Sequence, residues 1–159
     1  RGGPNLGEIQ TVIRMHSIDP LSDNEHLARW TLANAVLGNN DGHAKNLSLL
    51  YLPEGIRLAP IYDVVCTEAY PFLAREFAIY AGGRPHLDAL DTSAMRKLAR
   101  TFGFRYPLLK QLAEEVIDHL LHSFDEAAAE VAAMAGEHEV LETIDGVVRE
   151  NATRLSACL

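Results

Sequence analysis

Asp41, Asn46 and Asp63 are the residues of this sequence whose types and spacing best suit chemistry on a phosphate group. Asp41 and Asn46 stand five residues apart within Gly38–Ser48, a segment that combines an acid, amides, a base and an imidazole. The Asp-x-x-x-x-Asn spacing is that of a kinase catalytic loop, in which the acid orients a hydroxyl and the amide binds magnesium. Asp63 follows seventeen residues after Asn46, at the end of another apolar run. The sequence therefore predicts a site in which two carboxylates and one amide hold Mg²⁺ and a substrate hydroxyl together.

Each polar side chain of this set has a chemical role that its type allows. Asp41 can accept or orient the proton of a hydroxyl nucleophile. Asn46 and Asp63 offer hard oxygen atoms, which suit Mg²⁺ because this ion typically takes only one or two protein ligands beside phosphates. Lys45 can neutralise charge on a transferring phosphoryl group, so we group it with Asp41 as a catalytic candidate. His43 joins Asn46 and Asp63 as a candidate cofactor-binding residue.

Simpler structural roles remain open for the same residues. Asp41-Gly42 is also a common turn dipeptide, and the Asp-x-x-x-x-Asn spacing alone is a weak motif. His43 belongs to a residue type that more often forms structural hydrogen bonds than ligand contacts. Asp63 would also serve as the cap of a turn. The order of a buried helix, a polar loop, a hairpin and a further aspartate makes metal-dependent phosphoryl transfer as strong an interpretation as these structural roles.

A strongly apolar helix precedes the polar segment and would position it. Ser22–Glu25 has the pattern of a capping box, from which the helix is predicted to run to Leu37, with Gly38 as a left-handed C-cap. The helix is apolar on nearly all sides, which is typical of a central element, and we expect Trp30 to be largely buried. Such a helix gives a catalytic loop the rigid support that it needs.

The remaining elements are predicted from hydrophobic periodicity and turn residues. A first helix is predicted over residues 5–16 and is broken at Asp19-Pro20. Phe77–Tyr80 is considered as a short strand, and Thr92 as the cap of a later helix. The architecture is predicted to be one mainly α domain over residues 1–159 with a small β-hairpin insert. The other predicted strands cover residues 47–52 and 56–58. The other predicted helices cover residues 93–102, about 107 to 121, a separate alanine-rich segment that runs to Met134 and is ended by Gly136, and 141–155.

Composition excludes several classes of protein. The 159 residues suit one domain, and 48% hydrophobic residues provide for a core. No apolar run reaches the roughly 18 residues that span a bilayer, and no signal peptide is evident, so we expect a cytoplasmic protein without a membrane partner. The net charge of −8 argues against direct nucleic-acid binding by this domain. Cys66 and Cys158 show no metal-ligand spacing, which fits a reducing compartment.

Two ordered motifs resemble the signature of a known kinase family. The pattern G-N-x-D-x-H-x-K-N-x-S at residues 38–48 and the pattern L-x-P-x-Y-D at residues 58–63 are similar to motifs of HipA-family kinases, the toxins of bacterial toxin–antitoxin modules. The resemblance implies a serine/threonine protein kinase that uses ATP and Mg²⁺ and has a two-lobed fold related to eukaryotic and lipid kinases. It implies Asp41 as the catalytic residue and Asn46 and Asp63 as magnesium ligands. It also implies a protein substrate with a Ser or Thr hydroxyl and a DNA-binding antitoxin of the HipB type.

A nucleotide-covering lobe is the part of such a kinase that this sequence does not offer. No Gly-rich loop and no strand lysine precede Asp41, and only about 40 residues lie before it. We therefore expect the chain to correspond to the C-terminal lobe, either as an excised domain or as a truncated gene product. It would be the catalytic lobe of a HipA-like kinase or, alternatively, a non-catalytic module that binds an antitoxin or another partner protein. A metal-dependent phosphohydrolase is a third reading, which would need more metal ligands than the sequence supplies.

Overall fold

The computed structural model describes residues 3–135 and 139–159. In these residues, five α-helices accompany one two-stranded antiparallel hairpin, which confirms the prediction of a mainly α fold with a small β insert. The helices are α1 (Leu6–His16), α2 (Pro20–Val36), α3 (Thr92–Thr101), α4 (Tyr106–Ala135) and α5 (Glu139–Ala157); the strands are β1 (Leu49–Leu52) and β2 (Gly55–Leu58); and 3₁₀ turns cover Ala44–Asn46, Thr67–Ala69 and Leu87–Ala89. No helix of the described ranges combines the length and the apolar character needed to cross a membrane.

The central helix is α2, which contacts α1, α4, α5 and the hairpin. Its buried apolar side chains include Leu27, Leu32 and Trp30, and the prediction for Trp30 is confirmed because only 2% of this residue is exposed. Removing a buried tryptophan side chain typically costs about 3–5 kcal/mol. The end of α2 is therefore a firm base for the polar segment that follows it.

The start of α2 differs from the prediction. Asp19 is the N-cap, and its side chain accepts a hydrogen bond of 3.2 Å from the Ser22 backbone N–H. Pro20 occupies the first helical turn, where its missing N–H costs nothing. The predicted capping box at Ser22 was wrong because the helix begins at Pro20, so Ser22 lies inside its first turn. Asp23 turns inward, and its carboxylate accepts a 2.8 Å hydrogen bond from the Leu58 N–H of β2. The sequence near Asp23 gives no sign of a partner so far along the chain.

The hairpin is held against the turn between α1 and α2. Its register pairs Leu49 with Leu58 and Leu52 with Gly55. The Ile18 N–H donates to the Ile56 carbonyl at 3.0 Å, which joins the turn to β2. β1 begins later than predicted because the residues before it form the 3₁₀ turn Ala44–Asn46 and an extended link.

The segment between the hairpin and α3 contains no further strand in the part of the chain that is described. Phe77–Tyr80 is irregular, and the prediction of a strand there was wrong. The Phe77 N–H donates to the Pro85 carbonyl at 2.7 Å, and Ala81 forms an isolated bridge with Arg84. These bonds fold the segment onto itself, so it has no free edge to offer to a sheet.

The C-terminal helices also differ in detail from the prediction. The N-cap of α3 is Asp91, not Thr92, and its side chain accepts from the Ala94 N–H at 2.7 Å. α4 is one helix of 30 residues instead of two, because no glycine or proline interrupts its alanine-rich second half and alanine has the highest helix propensity. Gly136, predicted to end that helix, lies outside the described residues.

Candidate active site

The polar segment is fastened to the end of α2 by a chain of amides. The Asn39 backbone N–H donates to the Asn34 carbonyl at 2.9 Å, and the Asn39 side-chain Nδ2 donates to Asn34 Oδ1 at 2.6 Å. The Asp41 N–H in turn donates to Asn39 Oδ1 at 3.2 Å. At Gly42 a Cβ atom would come within 3.1 Å of Asn34, so only glycine fits there without a shift. Asn34 was not singled out from the sequence, although a buried amide on so apolar a helix is the signal that could have revealed it.

Asn46 and Asp63 are in direct contact, across 17 residues of sequence. Asn46 is buried in the last position of its 3₁₀ turn, and its Nδ2 donates to Asp63 Oδ2. The Asn46 Oδ1 accepts the His43 backbone N–H at 3.0 Å. The two residues predicted to share a metal ion are therefore neighbours, and His43 helps to fix the Asn46 amide through its main chain.

Asp63 has an unusual backbone conformation. Its φ of +56° makes it the non-glycine residue with a left-handed backbone among the described residues. Aspartate tolerates this region better than most residues do, and strained backbone of this kind clusters at functional sites. The side chain is exposed, so its carboxylate remains accessible from solvent.

Tyr62 ties the two motifs together. Its hydroxyl donates to the Lys45 carbonyl at 3.0 Å and shares a hydrogen bond of 2.8 Å with Ser48 Oγ. These bonds hold the Ala44–Asn46 turn against the segment that carries Asp63. The Lys45 side chain is exposed, whereas His43 is half-buried with an Nδ1 that has no protein partner among the described residues.

Asp41 lies on the same loop as Asn46, five residues before it. Its exposed side chain borders a cavity of about 270 Å³, and no hydrogen bond joins it to Asn46 or Asp63 in the described part of the chain. An acid at the edge of a cavity can orient a hydroxyl that enters it. The cavity is lined by Asn40, Asp41, Thr67, Leu73, Ala74, Glu76 and Ala78.

A magnesium ion would fit the chemistry of the Asn46–Asp63 pair. Both side chains carry the hard oxygen atoms that Mg²⁺ prefers, and Asp63 is accessible. Nowhere in residues 3–135 and 139–159 do three His, Cys, Asp or Glu side chains come together in a way that could hold a metal ion. Burial raises the pKa of the nearby Cys66 thiol, which therefore stays protonated and is a poor metal ligand.

Comparison with known families decides where the chain belongs. The family model of the HipA-like C-terminal domain matches residues 3–129. The chain belongs to this family. The HipA-like chain is 34% identical over 117 residues to a putative kinase, Y4mE, of Sinorhizobium fredii, a match that covers 74% of the chain and 28% of the relative. It is also 31% identical over 61 residues to the serine/threonine-protein kinase toxin HipA of Shewanella oneidensis, covering 38% of the chain and 14% of that protein.

A solved structure resembles the fold of the whole chain. The structure of HipA from Shewanella oneidensis MR-1, in complex with HipB and its operator DNA, superposes with a TM-score of 0.76 at 22% identity. The match covers 99% of this chain and 35% of the HipA chain. The HipA-like chain thus has the fold of part of a kinase-like protein, and it spans about a third or less of the relatives that it matches.

Proposed function

We propose that this HipA-like domain is the catalytic lobe of a magnesium-dependent serine/threonine protein kinase. In this proposal it transfers the γ-phosphoryl group of ATP to a Ser or Thr hydroxyl of a protein, in the cytoplasm, as the toxin of a toxin–antitoxin pair. The contact between Asn46 and Asp63 is the observation that carries it, because it brings the two motifs together and places the Asn46 amide beside the Asp63 carboxylate. Kinase names among the relatives support the reaction class.

The residues divide the work between the hydroxyl and the phosphate. Asp41 would accept or orient the proton of the acceptor hydroxyl at the edge of its cavity. Asn46 and Asp63 would hold Mg²⁺, which supplies charge neutralisation to the phosphates of bound ATP. Exposed Lys45 would lie against the transferring phosphoryl group, and His43 would keep the Asn46 amide in place.

A non-catalytic module is the second candidate. Such a module would bind an antitoxin of the HipB type or another partner protein without turnover. The Shewanella HipA in the comparison structure is bound to HipB and operator DNA, which supports a partner of this kind in the family. Retention of Asp41, Asn46 and Asp63 together favours the enzyme.

Measurement of ATP use separates these possibilities. We expect the 159 residues alone to bind MgATP very weakly and to phosphorylate no protein, because most contacts to the nucleotide come from a second lobe in kinases. Joined to an upstream nucleotide-binding lobe, the same residues should transfer labelled phosphate to serine-containing substrates, and Asp41→Asn should strongly reduce the rate of transfer. Robust ATP turnover by the isolated chain would instead support a phosphohydrolase. Inactivity of the joined protein, with tight binding of an antitoxin, would support the non-catalytic module.

A further inference from the structure

The turn Thr67–Ala69, which follows Asp63 in sequence, forms hydrogen bonds with the residues just before Asp41. Thr67 Oγ1 donates to the Gly38 carbonyl at 2.9 Å and accepts from the Asn40 N–H at 2.9 Å. The Glu68 N–H donates to the same Gly38 carbonyl at 3.1 Å. Asn40 Nδ2 donates to Glu68 Oε1 at 3.0 Å. Four hydrogen bonds therefore fix the segment that leaves Asp63 against the segment that leads into Asp41.

Glu68 also reaches the C-terminal helix. Its second oxygen, Oε2, accepts from Nδ2 of Asn151, a residue of α5 that is only 2% exposed. Gly38 is enclosed from the same two sides, since a Cβ there would lie 2.8 Å from a Val147 methyl group of α5 and 3.1 Å from Glu68. α5 therefore touches the start of the loop both by packing and through a carboxylate.

Asn40 is the member of this network that adjoins Asp41. Its N–H bonds to Thr67, its side-chain amide to Glu68, and its carbonyl accepts the Ala78 N–H at 2.8 Å. With its main chain held on both sides and its side chain held by a carboxylate, Asn40 has little freedom. Since adjacent residues share one planar peptide group, fixing Asn40 restrains the position of the Asp41 backbone.

We propose that Asn151, Glu68 and Asn40 form a relay through which α5 positions Asp41 for the acceptor hydroxyl. These are positioning residues, because none of them belongs to the proposed metal or hydroxyl contacts. The catalytic consequence rests on the proposed function, whereas the mechanical link between α5 and the loop does not. A shift of α5 by a bound partner would thus alter turnover without a contact to Asp41.

The chemistry of Glu68 suggests how to break and restore the relay. A carboxylate accepts at both oxygens and so serves two amide donors at once. Asn151→Asp would place a second carboxylate against Glu68, and like charges at that distance repel. Adding Glu68→Gln supplies an amide that donates to the new carboxylate while its oxygen still accepts from Asn40. The double variant should therefore recover what the single variant loses.

Hydrogen exchange on the full 159-residue chain tests the link directly. The exchange rate of the Asn40 backbone amide is measured relative to that of a buried α2 amide, such as that of Leu32. In Asn151→Asp this relative rate should rise about tenfold over the parent protein, because one hydrogen bond to a charged group is lost. The double variant with Glu68→Gln should return to near the parent rate. The matched control is Glu150→Gln, which removes a neighbouring exposed carboxylate bonded to Arg154 and should change nothing at Asn40. Asn151→Ala removes the donor without adding charge and covers the case in which Asn151→Asp fails to fold.

The outcomes separate the relay from the kinase activity. In the protein with its upstream lobe, Asn151→Ala should lower kcat several-fold and leave KM for MgATP unchanged. Unchanged exchange at Asn40 in both Asn151 variants, or a double variant no better than Asn151→Asp, would overturn the relay. If exchange responds as expected while the parent protein transfers no phosphate, the relay stands and the proposed function fails.

Discussion

Asp23 and Asp63 are two aspartates that the fold treats in opposite ways. Asp23 is 2% exposed, and its carboxylate accepts hydrogen bonds from Ser17 Oγ, Arg57 Nε and the Leu58 N–H at 2.6, 3.0 and 2.8 Å. Asp63 is exposed, has a left-handed backbone and, within the described residues, accepts one hydrogen bond, from Asn46. The protein saturates the first carboxylate with its own donors and leaves the second accessible. A carboxylate kept under-coordinated at some conformational cost is available to a ligand, whereas a saturated one stabilises the fold.

The hydrogen bonds of Asp23 also affect its pKa and the stability of the fold. Burial raises the pKa of this carboxyl, but hydrogen bonds from Arg57, Ser17 and Leu58 outweigh it and bring the pKa below its ordinary value. A lowered pKa in the folded state means that the ionised form stabilises the protein. That contribution is present above the ordinary pKa of 3.8 and is lost as the pH falls below it. Asp23 is therefore a structural residue, and substitutions at Asp23 and at Asp41 should differ in which property they change.

The largest expected effect is on rate, at Asp41. Asp41→Asn in the protein with its upstream lobe should lower kcat by about 10²–10⁴-fold, because a group that orients the nucleophile acts in the transition state. MgATP affinity should change little, and the urea midpoint should move by less than the equivalent of about 0.5 kcal/mol, since the side chain is exposed. Single-turnover phosphorylation, a nucleotide-binding isotherm and urea unfolding measure the three quantities. Loss of nucleotide affinity that added Mg²⁺ restores would make Asp41 a metal ligand instead.

The next effect is on stability, at Asp23. Asp23→Ala should lower the free energy of unfolding by about 3 kcal/mol, because it leaves the Leu58 N–H and the Arg57 guanidinium without their shared acceptor. Urea unfolding at pH 7 measures the loss, with Asp118→Ala on the exposed face of α4 as the matched control. A loss below about 1 kcal/mol would show that the hairpin does not depend on this carboxylate.

A third effect should appear in magnesium affinity, at Asp63. Asp63→Asn removes one charge from the proposed metal site and should weaken Mg²⁺-dependent nucleotide binding by about tenfold or more. Raising the Mg²⁺ concentration should partly rescue Asn46→Ala but not Asp41→Asn. Asp88→Asn, an exposed aspartate paired with Arg154, is the control. Equal magnesium dependence in the Asp63, Asp88 and parent proteins would remove Asp63 from the metal site.

The smallest effect concerns the pH dependence of stability, at His26. Burial lowers the pKa of this imidazole; Arg57 and Arg29 act in the same direction and Asp23 opposes them. Below the ordinary pKa of 6.5, the unfolded chain binds a proton at His26 that the folded protein binds less readily. The free energy of unfolding therefore declines as the pH falls through this range. His26→Gln should flatten that decline between about pH 7.5 and 5.5. Urea unfolding of the parent protein and the variant across this pH range measures the slope, and an equal slope in the two proteins would refute this account.

Local signals in the sequence were enough to predict the elements that carry the site. The apolar run of α2 predicted a buried support with Trp30 inside it, and the hairpin followed from two apolar runs around Pro53-Glu54-Gly55. Motif order predicted that Asn46 and Asp63 lie close together, and a hydrogen bond joins them; their shared role at a metal stays a prediction. These features depend on neighbours in sequence or on the motif order itself.

The features that escaped prediction depend on partners far along the chain. Asp23 was taken as part of a capping box because its partner, Leu58, lies 35 residues away. Glu68 and Asn151 stand 83 positions apart, and their contact likewise could not be predicted from local sequence. Local propensity cannot reveal such pairs, because only tertiary packing decides which buried donors meet which acceptors.

The left-handed backbone of Asp63 restricts which residues position 63 can accept. A library of all substitutions there, selected only for soluble folded protein, should retain Gly and Asn beside Asp and should disfavour Val, Ile and Thr, whose branched Cβ atoms suit this conformation worst. The same library selected for phosphoryl transfer should retain Asp alone. The residues that pass the first selection and fail the second would therefore separate what the main chain requires at this position from what the chemistry requires.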